Sequence, residues 1–204
     1  MKPVLCSLCL DPVPFEKIAR FYIKPGALVI DVTAGKRRIW RLVRERPFTV
    51  IFMDIKPEEG NTLVADLRYL PFRDHVADVV VFDPPFPVKT VSLYKRWARS
   101  MWPQYFQSCK LSYFLSLMEG INREAYRVLK PEGFLICKLM DCVVDGRLYP
   151  AVAMCHEHLT NFEIHDVIVS LKIVPFIVAP KVRSLRRHYY WIVLRPKRGV
   201  MRWT

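Results

Sequence analysis

Residues 77–86 read Ala-Asp-Val-Val-Val-Phe-Asp-Pro-Pro-Phe. Ala77–Phe82 is an almost unbroken apolar run, the pattern of a strand covered on both faces in a parallel sheet. Asp83 follows at once, and the two prolines behind it fix the backbone and remove two donors. The carbonyl of Pro84 is thereby presented as an acceptor beside the Asp83 carboxylate, with the Phe86 ring alongside. A parallel strand requires neighbours reached by crossovers, so the rest of the chain should alternate strands with helices.

It does. Upstream, Ala27–Val32 is a short apolar run between Pro25-Gly26 and Thr33-Ala34-Gly35, and Phe48–Met53 and Thr62–Ala65 read as two further strands. Downstream, Phe134–Leu139 is a fifth strand, and two more lie near Glu163–Ile173 and His188–Leu194. The spacing predicts helices over Phe15–Tyr22, Arg37–Arg46, Phe106–Leu129 and Pro150–Leu159, with a turn at Lys130–Gly133. The expected architecture is an α/β, Rossmann-like three-layer sandwich around a seven-stranded, mostly parallel sheet with a closing antiparallel strand pair. With 204 residues, the chain has room for one such domain and no second.

In such a sheet a ligand sits at the carboxyl ends of the strands, beside the point where the strand order reverses. Those ends carry acids. The first strand closes on Asp31-Val32-Thr33-Ala34-Gly35, whose small residues let backbone approach a ligand closely; an ordinary tight turn would look the same. The second reaches Asp54, nineteen residues after Gly35, where a carboxylate can accept both hydroxyls of a ribose or simply cap a helix. The third leads into Asp66 and Leu67, suited to an adenine amine and ring, or to a plain aspartate turn. At the fourth, Asp83 and the Pro84 carbonyl together suit an –NH2 group, which donates twice in one plane, and Phe86 offers a stacking face.

The charge is lopsided: 32 Lys and Arg against 19 Asp and Glu give +13. Residues 36–46 contribute +5 and residues 181–204 contribute +8, so the remainder is neutral overall. Two concentrated blocks favour a polyanionic partner. Between them, the connection 86–105 interleaves Trp97 and other aromatics with Lys89, Lys95, Arg96 and Arg99, a composition that stacks bases and holds phosphates. Arg183, Arg186 and Arg187 would extend that basic track. The longest apolar stretch, Val167–Pro180, contains Lys172 and is too short to span a bilayer, and no export signal precedes the first helix; a cytoplasmic protein is expected. Cys6-x-x-Cys9 lacks the second ligand pair of a zinc site, so no metal is expected. In a hyperthermophile, Cys6–Cys9 or Cys137–Cys142 could pair as a disulfide.

Taken together, DVTAG at 31–35, Asp54, Asp66, DPPF at 83–86 and RVLKPEG at 127–133 resemble the S-adenosylmethionine-dependent amino-methyltransferases with an Asp-Pro-Pro-aromatic signature. The resemblance runs from about Asp11 to Leu194. It implies the class I methyltransferase fold with S-adenosyl-L-methionine as cofactor, held by Phe15, Asp31, Thr33, Ala34, Gly35, Asp54, Ile55, Asp66 and Leu67. It implies Asp83, Pro84 and Phe86 as the catalytic set acting on cytosine N4, adenine N6 or guanine N2. The first loop has one glycine where the family commonly has two. The absence of a sizeable recognition region favours a structured RNA over DNA, with cytidine N4 in ribosomal RNA as the leading target; the oligomeric state is open, a monomer being one option. A DNA cytosine or adenine enzyme, an RNA adenine or guanine enzyme, a protein-glutamine methyltransferase and a non-catalytic RNA-binding scaffold are the alternatives.

Overall fold

A computed structural model describes residues 7–10, 14–87, 108–171 and 188–197. The elements in chain order are β1 (Ser7–Leu10), α1 (Pro14–Tyr22), β2 (Leu28–Asp31), a 3-10 turn (Arg38–Leu42), β3 (Thr49–Asp54), β4 (Leu63–Val64), β5 (Ala77–Phe82) and β6 (Phe86–Pro87). There follow β7 (Ser108–Cys109), α2 (Leu111–Val128), β8 (Leu129–Leu139), β9 (Cys142–Val144), β10 (Arg147–Tyr149), α3 (Ala151–His158), β11 (Phe162–Leu171) and β12 (His188–Pro196).

The main sheet has the order β1-β11-β12-β8-β5-β2-β3-β4. The strands from β8 through β5, β2 and β3 to β4 run parallel, and β12 lies antiparallel between β11 and β8. This is the expected sheet with its closing antiparallel pair, extended at one edge by β1, which joins β11 in parallel. The strand order reverses between β2 and β5, so Asp31 and Asp83 end neighbouring strands at the switch point.

Two cores flank the sheet. On one face α1 and the 3-10 turn cover Val29, Val79, Val81, Ile136, Trp191 and Val193 with Phe15, Tyr22 and Trp40. On the other, α2 and α3 pack Phe114, Met118, Ile121 and Met154 against Ile30, Val80, Phe82, Leu135 and Ile192. β5 is buried along its length except at Asp78, where the carboxylate accepts the Leu28 N–H and the Lys130 ammonium. The continuous apolar pattern of this strand thus has its physical cause in two covered faces.

Three segments differ from expectation. The basic stretch 37–46 forms only the 3-10 turn, because Arg37 adopts a left-handed backbone with φ 53° and the Trp40 indole is drawn down onto Asp31. The long helix begins at Leu111 rather than Phe106; Ser108–Cys109 instead pairs with Phe86–Pro87. The expected turn at Lys130–Gly133 lies within the bounds of β8, as an irregularity between the pairings of Ala77 with Leu129 and Val79 with Phe134. A Cβ at Gly133 would stand 2.8 Å from the Asp78 carbonyl, so only glycine fits that irregularity without a shift. The hairpin β9–β10 turns through Asp145-Gly146, both at positive φ. Cys137 and Cys142 are both buried and form no disulfide, and burial pushes the Cys137 thiol well above its ordinary value. Among the described residues, no helix is long and apolar enough to cross a membrane.

Candidate active site

The end of β5 is held from two sides. The Asp83 N–H donates to Thr33 Oγ1 at 2.7 Å, which ties the proline corner to the loop after β2. The Cys109 thiol donates to the Pro85 carbonyl at 3.3 Å. Pro84 is buried, while Asp83 and Phe86 are half-buried and so reach both protein and solvent. The two prolines and these two bonds leave the corner little freedom.

The Asp83 carboxylate meets a cation that sequence reasoning did not single out. β8 pairs with β5 in the register Phe82 to Cys137, which sets Lys138 beside Asp83. Lys138 Nζ lies 3.1 Å from Asp83 Oδ2. The same ammonium stands 5.0 Å from the Tyr189 ring centroid and 5.7 Å from that of Trp191. A lone lysine in the apolar run Phe134–Leu139 was the available signal, since strands covered on both faces rarely carry one unpaired.

Asp31 ends β2 only 1% exposed. Its Oδ2 accepts the Trp40 indole N–H at 2.7 Å and its Oδ1 the Thr33 N–H at 3.1 Å. Burial pushes its carboxyl up to about 7; the bonds from Trp40 and Thr33 oppose that, and the nearby Asp83 and Asp54 carboxylates reinforce it. Asp54 ends β3, where its Oδ2 accepts the Gly35 N–H at 2.9 Å and its Oδ1 the Lys56 N–H at 3.1 Å. The Ala34 N–H reaches the Met53 carbonyl at 2.9 Å. The loop after β2 is therefore stitched to the ends of both β3 and β5.

Asp31, Thr33 and Asp83 thus form one hydrogen-bonded set, joined through the loop to a second in which Ala34 and Gly35 donate to Met53 and Asp54 at the end of β3. The other expected residues stand apart from both in different ways. Ile55 is exposed beside Asp54. Asp66 is clasped by Arg68, whose Nε meets both carboxylate oxygens at 3.0 Å; these bonds hold its carboxyl below the usual carboxylate range although burial opposes them. Leu67 is buried beneath that turn. Phe15 is also buried, stacked on Trp191 at 4.9 Å and edge-on to Trp40 at 4.8 Å, so it supports the site from behind. Lys89, Lys95, Arg96, Trp97, Arg99, Arg183, Arg186 and Arg187 lie outside the described residues.

A separate groove of about 270 Å³ opens at the amino ends of β2, β5 and β8, among Tyr22, Lys24, Asp78, Lys130 and Phe134. It lies at the opposite end of the strands from Asp83 and shares no residue with the group described above.

No protein-family model and no curated protein matches the chain. Solved structures do. TrmN from Thermus thermophilus aligns at TM-score 0.55 and 16% identity over 91% of this chain and 49% of its own, so the chain spans about half its length. A TehB-like SAM-dependent methyltransferase from Corynebacterium glutamicum aligns at 0.52 and 15% identity, over 90% of this chain and 87% of its own. The 1,6-didemethyltoxoflavin-N1-methyltransferase of Burkholderia thailandensis, solved with S-adenosylhomocysteine and 1,6-didemethyltoxoflavin, aligns at 0.51 and 14% identity, over 90% and 76%. At such identities these likenesses show the fold, that of the class I methyltransferases.

Proposed function

We propose that this protein transfers a methyl group from S-adenosyl-L-methionine to the exocyclic amine of a nucleobase in structured RNA, with cytidine N4 in ribosomal RNA as the leading target. The observation that carries the reading is the rigid corner Asp83-Pro84-Pro85-Phe86 at the switch point, its backbone tied to the loop after β2 by Thr33.

The residues present fit the cofactor. The Asp54 carboxylate spends one contact per oxygen on the backbone of Gly35 and Lys56, and a carboxylate has about four lone-pair sites, which leaves acceptors for two ribose hydroxyls. Ile55 offers an exposed apolar face beside it, and the loop 33–35 supplies backbone close to the strand ends. Asp54 places a carboxylate where a cation would lie, and the two bonds that Asp31 accepts hold the start of the loop. Asp66 can take the adenine amine only by sharing its carboxylate with Arg68. When bound, the cofactor supplies an electrophilic methyl carbon on a positively charged sulfur.

The protein's own contribution is positioning. An aromatic amine is a poor nucleophile because its lone pair is delocalised into the ring. Asp83 and the Pro84 carbonyl each accept one N–H of the amine, which lets the nitrogen turn its lone pair out of the ring plane. Phe86 stacks on the base and fixes that plane. Alignment of this kind supplies up to about 7–11 kcal/mol of a barrier. The base must leave its stack to enter, and the basic blocks at 36–46 and 181–204 suit the phosphates around it. In a folded RNA, shape and an exposed base select the target.

The test is nucleoside mass spectrometry of RNA and DNA from cells with and without the gene. A methylated cytidine lost from ribosomal RNA is the expected result; a base lost from DNA alone overturns the RNA assignment. Asp83→Ala should abolish transfer while leaving calorimetric binding of S-adenosylmethionine nearly unchanged, and retained turnover overturns the amine clamp.

A further inference from the structure

We propose that Lys138 is a positioning residue of this site: it pins one oxygen of the Asp83 carboxylate so that the other is presented to the incoming amine. The inference rests on the amine-clamp reading and extends it to a residue on a different strand. Asp83 has one rotatable arm carrying two equivalent oxygens, and the clamp uses one N–H per acceptor, so the carboxylate must stop in one orientation. Lys138 Nζ reaches Oδ2 at 3.1 Å, with side-chain exposure of 20% for the lysine and 22% for the aspartate. At that depth the pair is shielded from the water that makes surface ion pairs weak.

The lysine is itself held. Its ammonium lies over Tyr189 and Trp191 of β12, and Trp191 is locked behind by its stack on Phe15. β12 thus acts on the chemistry without touching a substrate, through the aromatic faces beneath the lysine. The arrangement also fixes what kind of group the corner accepts. With the cation on Oδ2, the carboxylate meets its partner as an acceptor, so it suits a group that donates, an amino group, and opposes a carbonyl oxygen at the same place. A base with –NH2 is favoured over one bearing C=O in that position. The titratable groups facing Asp83 from the elements around it are Lys138 on β8 and Asp31 on β2, with Asp54 beyond the loop; of these, Lys138 is the cation, and it meets the Asp83 carboxylate directly.

The experiment compares K138M, K138Q and K138R in the full chain. The first readout needs neither cofactor nor nucleic acid: three-bond couplings of the Asp83 side chain by NMR. One fixed rotamer is expected in the wild type and K138R, and averaged couplings in K138M and K138Q; the same couplings in all four overturn the inference. The second readout is kinetic. K138M should lose about 10- to 100-fold in kcat, the cost expected of a displaced catalytic group, with KM for both substrates changed less than about threefold and K138R restoring most of the rate. A K138R as slow as K138M, or a loss confined to cofactor binding, overturns it. Should the neutral variants not fold, Y189L removes one aromatic face without touching Asp83, and partial averaging of the couplings is expected; a rotamer as fixed as the wild type's overturns the role of β12. A wild type that methylates no nucleic acid would overturn the proposed function, while the couplings would still decide the role of Lys138.

Discussion

The hydroxyl of Thr33 accepts the backbone N–H of Asp83 at 2.7 Å, across fifty positions of sequence. That bond joins the loop after β2, proposed to face the cofactor, to the corner proposed to grip the acceptor. The same Thr33 donates its own N–H to Asp31. One residue therefore sets the spacing between the two halves of the site.

Thr33→Val keeps the shape of that side chain and removes the acceptor. The Asp83 N–H would then lack a partner in a half-buried place, at a cost of about 1–3 kcal/mol, and the corner would relax away from the loop. Methyl transfer should fall about 10- to 100-fold, in line with a displacement near 1 Å. Thr33→Ser, which keeps the hydroxyl, should stay close to the wild type. Steady-state rates beside calorimetric titration with S-adenosylmethionine check this, since the loss should lie in turnover.

Much of this site is legible in the sequence because it is local. The apolar run Ala77–Phe82 and the acids that close each strand are set by neighbours in the chain, and the parallel sheet puts strand ends side by side wherever the connections are short. What is not legible depends on distant partners. Lys138 reads as an oddity until the register of β8 on β5 and the return of β12 set it between Asp83 and two aromatic rings. Phe15 has the position of a ligand contact in sequence, yet Trp191 claims it from 176 residues away. The helical spacing of Ile39, Leu42 and Val43 is overridden by the bond from Trp40 to Asp31. The edge strand β1 has only four residues, too few for a periodicity to register. The β9–β10 hairpin is different: its Asp145-Gly146 turn is a local signal that sequence reading can use.

Glu124 on α2 should prove a structural keystone for the turn that carries Asp66. It is 7% exposed and accepts the Leu70 N–H at 2.9 Å and Arg127 at 2.8 Å. Arg127 also donates to the carbonyls of Leu70 and Phe72. Burial alone would raise the Glu124 carboxyl, but these donors outweigh it and hold the group below its usual range. Glu124→Gln should cost about 2 kcal/mol, the scale of a hydrogen bond to a charged group. Differential scanning calorimetry would then show a melting temperature lowered by about 4–8 °C for a chain of this length.

Neutralising Arg183, Arg186 and Arg187 together should weaken RNA binding and flatten its dependence on salt. Each lost phosphate contact should reduce the slope of log K against log salt by about 0.7–0.9. Filter binding over a range of potassium chloride concentrations measures it, and an unchanged slope would remove that block from the binding surface.

Asp31 gives the fold a pH dependence of unusual sign. Its carboxyl stands at about 7 in the folded chain against an ordinary 3.8. Between those limits the folded protein keeps a proton that the unfolded chain releases, so each rise in pH favours unfolding. Stability from this group should fall as pH climbs from about 4 to about 7 and level off above, by a few kcal/mol at most, at 1.36 kcal/mol per pH unit. His165 acts in the opposite direction: burial lowers its imidazole, so it penalises folding as pH falls below its ordinary value. Comparing the wild type with Asp31→Asn cancels that contribution, because both proteins keep His165. The asparagine cannot accept from both Trp40 and Thr33, so the variant should be less stable than the wild type at pH 5. The gap should then narrow steadily toward pH 8 as the wild-type carboxylate is forced to ionise in its buried place. Urea unfolding followed by tryptophan fluorescence at half-unit pH intervals measures the gap, and a constant difference across that range would show that Asp31 is ionised throughout.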